Sequence, residues 1–364
     1  MRTLIALATL CLSACPHRDG SLYRFSGDGR LTGLSQIETW KADAPNWQPP
    51  QQPSAGWKLA IKRHLSLIGR ARNKTGERIN VEQRRAVAQA LSGGFEGLKG
   101  LQFLRLKGDG SGNVQFTGYY TPIIDARRQA DDKFRHALYA YPKAWQGKGP
   151  HLSRGQIDDQ GRLSGQGLEL AYSADPSDNF FMQVQGSGMV RYADGSLEML
   201  AYAGKNGHAY VSVGRLLVER GRIAKADISM NSIRSWCAAH RIACQQLYNE
   251  NPSYVFFRRG ASGPVGASGE IVSAGLSIAV DPRVIPLGST LVAHLPVLDG
   301  DGKLSHHEWR ILLAQDTGGA IKGSAHIDLY TGVGGVGARA AQALHHYGRI
   351  WLILPSRADL LPGD

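Results

Sequence analysis

Short runs of alternating, aromatic or β-branched residues, cut apart by glycine-rich turns, limit what this chain can fold into. Val114-Gln115-Phe116-Thr117-Gly118-Tyr119-Tyr120 and Phe180-Phe181-Met182-Gln183-Val184-Gln185 read as strands. Asp109-Gly110-Ser111-Gly112, Asp194-Gly195 and Asp299-Gly300-Asp301-Gly302 read as turns, where glycine supplies backbone conformations that other residues avoid. The last of these superficially resembles a calcium loop. Its glycines fall at the wrong positions and the ligand ladder is absent, so a β-turn is expected. Helical patterning is confined to residues 57–69, 80–92 and 228–247; in the second, Val81, Val87, Ala88 and Leu91 form an apolar stripe. With glycine at 45 of 364 positions and few long helices, the expectation is a mainly β chain with some α, built around barrels.

One tract carries the densest chemistry. Leu313-Ala314-Gln315-Asp316-Thr317-Gly318-Gly319-Ala320-Ile321-Lys322-Gly323-Ser324-Ala325-His326-Ile327-Asp328-Leu329-Tyr330 sets a carboxylate at each end of a glycine loop. Apolar surroundings hold a carboxylic acid protonated near neutral pH, which a general acid for acetal cleavage requires. Alternation puts His326, Asp328 and Tyr330 on one strand face, opposite Ile327 and Leu329. Asp316 follows the apolar run Ile311-Leu312-Leu313-Ala314. The plain alternative is a β-hairpin whose two aspartates cap loop amides. A second constellation, Ser277-Ile278-Ala279-Val280-Asp281-Pro282-Arg283, is a strand ending in an Asp-Pro turn.

The first residues read as export. Met1-Arg2-Thr3 precedes a short apolar stretch and Leu12-Ser13-Ala14-Cys15, a secretory signal in residues 1–14 with a lipobox-like end. Cys15 is then the lipidation site, and several acyl chains suffice for a stable anchor. An ordinary cleaved signal with a chance cysteine is the alternative. Pro16, where an aspartate would favour the inner membrane, points to the inner leaflet of the outer membrane, with the body in the periplasm. Residues 15–56, rich in Pro, Gln, Gly and Trp, read as a tether and irregular lead-in. Cys237 and Cys244 are too far apart on one straight helix to bridge, about 10 Å. A helix break near His240 would bring them together as a disulfide; two buried free thiols are the alternative. No fourth ligand accompanies them, and the pairs His306-His307 and His345-His346 read as loop and surface residues, so no metal and no cofactor are expected. The net charge of +12 suits an anionic partner. No nucleic-acid motif accompanies it, so the acidic cell wall is the expected partner; a charge that only aids solubility or contact with lipid head groups is the alternative.

The two aspartate segments together resemble the three-aspartate (3D) domain of the MltA family of membrane-bound lytic murein transglycosylases, with Asp281, Asp316 and Asp328 as the matching carboxylates. Phe116–Pro122, Phe180–Gly188, Tyr202–His208 and Asn251–Phe257 are also similar to that family, and the likeness spans about residues 60–355. It implies a double-psi β-barrel domain from 57–122 and 255–364, with the three-aspartate region at about 271–350. A smaller β-barrel domain, 123–254, would be inserted, with a groove between the two. It implies that Asp328 is the catalytic acid/base, with Asp281 and Asp316 lining the site. Thr117, Tyr119, Thr121, Gln183, Gln185, Ser187, Gly319 and Lys322 would contact substrate.

The activity implied is non-hydrolytic cleavage, exolytic or endolytic, of the β-1,4 bond between N-acetylmuramic acid and N-acetylglucosamine in peptidoglycan, leaving 1,6-anhydro ends. Partners would be glycan strands, the outer membrane and, as candidates, proteins of wall synthesis. Two rivals remain: a β-glycan hydrolase on a similar barrel, and a non-catalytic peptidoglycan-binding lipoprotein. A serine hydrolase built on Ser187 or Ser268 lacks the full nucleophile elbow.

Overall fold

The computed structural model describes residues 56–72, 79–95, 100–145, 149–260, 262–319 and 321–355. Cys15, the signal and the tether lie outside them. Among the described residues no helix is long and apolar enough to cross a membrane. Two compact units emerge among the described residues: Thr121–Pro264 with Val333–Gly335, and residues 56–120 with Val265–Gly332 and 336–355.

The larger unit opens with α1 (Trp57–Arg70) and α2 (Val81–Ala90). α1 buries Trp57, Ala60, Ile61, His64, Leu67 and Ile68, one helical face. α2 is started by a capping box between Asn80 and Gln83, which satisfies two otherwise orphaned amides. The strands of this unit are β1 (Gln102–Arg105), β2 (Val114–Thr121), β9 (Ser277–Ala279), β10 (Thr290–Leu298), β11 (Leu304–Asp316), β12 (His326–Val333) and β13 (His345–Leu354). They run in the order β1-β13-β10-β11-β9-β12-β2, and β13 also pairs with β2. Six strands therefore close on themselves, with β1 extending β2's side of β13. This closed ring is the barrel that the resemblance implies. Closure removes the exposed edges that an open sheet must protect.

Period-two alternation sorts the side chains. Leu291, Ala293 and Leu295 on β10, Leu312 and Ala314 on β11, and Ile350 and Leu352 on β13 fill the barrel. Their neighbours Val292, Ile311, Leu313, Trp351 and Ile353 face outward under α1 and α2. Ile327 and Leu329 on β12 also join the interior, so Asp328 faces out. α8 (Gly334–Ala343) follows β12 and lies so close to β2 that a Cβ on Gly118 would meet Ala341 Cα at 2.5 Å.

The smaller unit holds β3 (Ile123–Arg127), β4 (His136–Tyr139), β5 (Glu169–Ser173), β6 (Gly188–Arg191), β7 (Leu197–Lys205) and β8 (Val255–Arg258) in the order β4-β5-β3-β6-β7-β8. A parallel bridge between Ala140 and Phe257 links its two end strands, so this sheet also closes into a small barrel. β8 pairs with β7, so the strand that begins at residue 255 belongs to this unit and not to the larger barrel. Helices α3 (Arg154–Asp158), α4 (Pro176–Gln185), α5 (Val213–Glu219), α6 (Met230–Ala239) and α7 (Arg241–Asn249) complete the unit.

The structure corrects the sequence reading at several points. Phe180–Gln185 is helix α4 and not a strand. Asp175 caps it through the Ser177 amide, Pro176 occupies its first turn, and Gly186 ends it in the left-handed region. Phe180, Phe181, Met182 and Gln183 are all buried, so a helix packed on two sides hides its periodicity. His306, His307, His345 and His346 lie on strands β11 and β13 and not in loops. The helical stretch expected over 228–247 breaks at His240, and Cys237 and Cys244 form a disulfide across that break with Cα atoms 4.9 Å apart. Asp299 caps its own turn by accepting from the Asp301 and Lys303 amides.

Candidate active site

The site grows from three adjacent strands of the larger barrel, with β9 lying between parallel β11 and antiparallel β12. Asp316 on β11 and Asp328 on β12 are both paired with Ala279 of β9. The interposed β9 excludes the simple hairpin between the two aspartates. Directly paired residues on neighbouring strands share a face. Strict alternation after Ala314, however, would turn Asp316 into the barrel. A register shift between Ala314 and Asp316 prevents this. The extra residue, Gln315, is buried and its Oε1 accepts from the Ser277 hydroxyl. The bulge thus re-aims Asp316 onto the face that carries Asp328.

β2 supplies the next two groups from one face, at positions i and i+2. Thr117 Oγ1 donates to Asp328 Oδ1 at 2.8 Å and lies 2.8 Å from His326 Nε2. The Tyr119 hydroxyl donates to Asp316 Oδ2 at 2.9 Å. Asp316 Oδ1 accepts from the Ala267 and Thr317 amides at 2.7 and 2.8 Å. Tyr119 and Tyr330 rings pack at 5.2 Å beside these contacts.

The electrostatics separate the three aspartates. Burial pushes the Asp328 carboxyl up to about 7; the charge of Asp316 adds to the rise, and the Thr117 hydrogen bond opposes it. Burial also raises Asp316, but its two amide donors and Tyr119 oppose that and favour the anion. Asp281 behaves oppositely. Burial acts to raise it, yet Arg283 and the Gly323 amide outweigh that and hold it at about 2. Arg283 grips it bidentately at 2.9 and 2.6 Å, and Gly323 N–H donates at 2.9 Å. Asp281 is therefore a permanent anion that ties down the glycine loop. Of the two companions expected to raise Asp328 by like charge, Asp316 alone contributes. His326 is buried and neutral, its pKa lowered to about 4 by desolvation and by nearby His345.

The remaining residues expected at a substrate surface divide. Tyr119 joins the carboxylate cluster. Gly319 and Lys322 are exposed on the loop between β11 and β12, and Ser187 and Gln185 are half-buried in the smaller unit. Gln185 donates weakly toward Met230 sulfur. Thr121 is buried at 2 % exposure. Gln183 points inward at 4 % exposure, where its Oε1 accepts from Arg154 at 2.6 Å. The family likeness had named it as a substrate contact; here its side chain turns into the core from helix α4. Arg154 also bonds the Asn251 and Ser253 carbonyls, so Gln183 completes a buried polar knot. The sequence reading left His326 undecided and missed Ala267. The H-x-D spacing on a strand was the available signal for His326; nothing local marks Ala267. Among the described residues no group of three or more His, Cys, Asp or Glu is arranged to hold a metal ion.

Comparison with known proteins places the chain. The MltA specific insert domain matches residues 115–258, and the 3D domain matches residues 276–354. Membrane-bound lytic murein transglycosylase A of Escherichia coli K12 is 45% identical over 249 residues, 67% of this chain and 67% of that protein. The Vibrio cholerae protein of the same name is 42% identical over 257 residues, 69% of this chain and 68% of the relative. Among solved structures, E. coli MltA with bound chitohexaose superposes with a TM-score of 0.71 at 36% identity, covering 86% of this chain and 93% of that one. A membrane-bound lytic murein transglycosylase from Agrobacterium tumefaciens gives 0.73 at 28% identity, covering 84% and 94%. By sequence, by both matched domains and by fold, the chain belongs to the MltA family of membrane-bound lytic murein transglycosylases.

Proposed function

We propose that this chain cleaves the β-1,4 bond between N-acetylmuramic acid and N-acetylglucosamine without water, with Asp328 as both acid and base. The observation that carries the reading is the Asp328 carboxyl, raised to about 7 by burial beside Asp316. A group poised there is available in both protonation states near neutral pH. As the acid, Asp328 gives its proton to the glycosidic oxygen as the C1–O bond breaks. As the resulting carboxylate, it takes the proton of the C6 hydroxyl of the same muramic residue. The C6 oxygen then bonds to C1 and closes the 1,6-anhydro ring. Each proton given is recovered, so the carboxyl returns to its starting state.

A two-carboxylate hydrolase needs a second group free to activate water. Asp281 is neutralised by Arg283, and Asp316 is committed to three donors, two amides and a phenol. That occupancy favours the single-acid route over the hydrolytic rival. Asp316 helps to balance positive charge developing on the sugar ring.

The test is product analysis on purified sacculi. The wild type should release muropeptides lighter by one water than hydrolysis products, and Asp328→Asn should release almost none. Fragments carrying the added water support the hydrolase, and near-wild-type release by Asp328→Asn sinks the assignment of the acid. Attachment through lipid at Cys15 belongs to the same reading. Replacing Cys15 by Ser should move the protein from the membrane fraction to the soluble one.

A further inference from the structure

His326 precedes Asp328 by two residues on β12, so both side chains share the outer face. Between them stands a single hydroxyl. Thr117 Oγ1 is 2.8 Å from His326 Nε2 and 2.8 Å from Asp328 Oδ1. A threonine hydroxyl has one proton to donate and lone pairs to accept with. It can serve two neighbours at once only if one of them donates to it.

Ionised Asp328 can only accept, so the Thr117 proton must point at Oδ1. His326 must then donate from Nε2. The opposite tautomer, with the proton on Nδ1, makes Nε2 an acceptor that competes for the same hydrogen. That arrangement is free of repulsion only while Oδ1 itself is protonated. An acid/base that ionises in every turnover would break it each time. The neutrality of the buried ring means that it has one N–H to place.

We infer that His326 is a positioning residue: its Nε2–H tautomer fixes the Thr117 hydroxyl as a donor to Oδ1 of Asp328, which confines the transferable proton to Oδ2. This rests on the reading of Asp328 as the acid/base. Both states of Asp328 then keep the same hydrogen-bond directions, and no rotor has to turn between the two proton transfers. The titratable groups facing this chain are Asp316 from β11, Tyr119 from β2 and His345 from β13. β9 contributes Ala279, which does not titrate. His345 is the cross-strand partner of Thr117.

The test uses the full chain with sacculi as substrate and compares His326→Leu, His326→Gln and Asp328→Asn. Leucine removes the donor, whereas glutamine can present an N–H at a similar reach. His326→Leu should lower kcat about tenfold, the loss of one committed hydrogen bond, with KM nearly unchanged. Its alkaline limb should move up, because the Thr117 bond that favours the carboxylate is no longer enforced. His326→Gln should restore most of kcat and return the limb. In the unsubstituted protein, nitrogen NMR should find His326 protonated at Nε2 and bare at Nδ1, a readout independent of any variant's folding. A ring protonated at Nδ1 overturns the inference. An inactive Asp328→Asn beside a His326→Leu enzyme with unchanged kcat and pH profile removes the positioning role alone. An active Asp328→Asn removes the acid assignment first, and the inference with it.

Discussion

Replacing Asp316 by Asn tests how its charge sets the strength of Asp328, the proposed acid. The substitution removes one negative charge and keeps the shape. Asparagine Oδ1 can still accept from the Ala267 and Thr317 amides, and its amide nitrogen can donate to the Tyr119 oxygen. Asp316 and Asp328 flank Ala279 from two sides, so their strands are two spacings apart, about 10 Å. Two unit charges at that distance repel by about 1.7 kcal/mol at an effective dielectric constant of about 20, and by about 0.4 kcal/mol in water. Divided by 1.36 kcal/mol per unit, this corresponds to a shift of about 0.3 to 1.2 pH units. The sign follows from charge. Ionised Asp328 loses a like-charged neighbour, so its pKa falls, and the protonated form needed for the first step disappears at lower pH. The alkaline limb of kcat for muropeptide release should therefore move down by that amount, and rates on the limb should fall about two- to fifteen-fold. Rates across the pH range, with protein of matched folded fraction, provide the assay. The position of the limb decides the matter, whatever happens to its height. A limb that stays in place or moves up refutes the coupling.

Three further outcomes follow from the same structure. The raised Asp328 pKa means that the folded chain holds a proton which the unfolded chain releases between its ordinary value near 3.8 and about 7. That stability is fully present below the lower value and lost as pH rises through the upper one. Asp328→Asn should therefore melt higher than wild type above neutrality, by on the order of 4 kcal/mol of stability, and match it in acid; equal melting curves at alkaline pH would contradict this. Gly118→Ala drives a methyl to within 2.5 Å of Ala341 backbone, so β2 or α8 must shift. It should cost about 1–3 kcal/mol and lower activity, because Thr117 and Tyr119 flank it; calorimetry and release rates check both. Replacing Cys237 and Cys244 by Ala should cost about 2 kcal/mol, seen as a lower melting temperature, with no change in the pH profile of release.

Much of the site was legible because its residues carry their own signals. Asp328 on an alternating strand, with Ile327 and Leu329 turned inward, needs only period two to be placed. Asp316 does not yield to that rule. Alternation from Ile311 to Ala314 would have buried it, and only the bulge at Gln315, set by pairing with a strand about forty residues away, turns it outward. Asp281 reads as a site carboxylate by family likeness, but its short link to Arg283 makes it an anchor; the salt bridge is local, and Asp-Pro-Arg could have suggested it. The Phe180–Gln185 segment was read as a strand because four consecutive buried residues in α4 mask the helical period. The capping signals Asp175-Pro176 and Gly186 were present and outweighed by the aromatic content. The order β11-β9-β12 was beyond reach, since it depends on long-range pairing that no local pattern records.

The glycine loop first looked like the device that brings two carboxylates together. The pairing of both with Ala279 assigns that task to the sheet. Hydrogen bonding between strands acts as a fixed ruler, and the distance from Asp316 to Asp328 is read along it. The intervening loop is then released from any metric duty, apart from the tie between Gly323 and Asp281. Its length and composition could change while Asp316 and Asp328 keep their separation. Insertions between Gly318 and Lys322 would alter the loop surface without moving the two carboxylates apart.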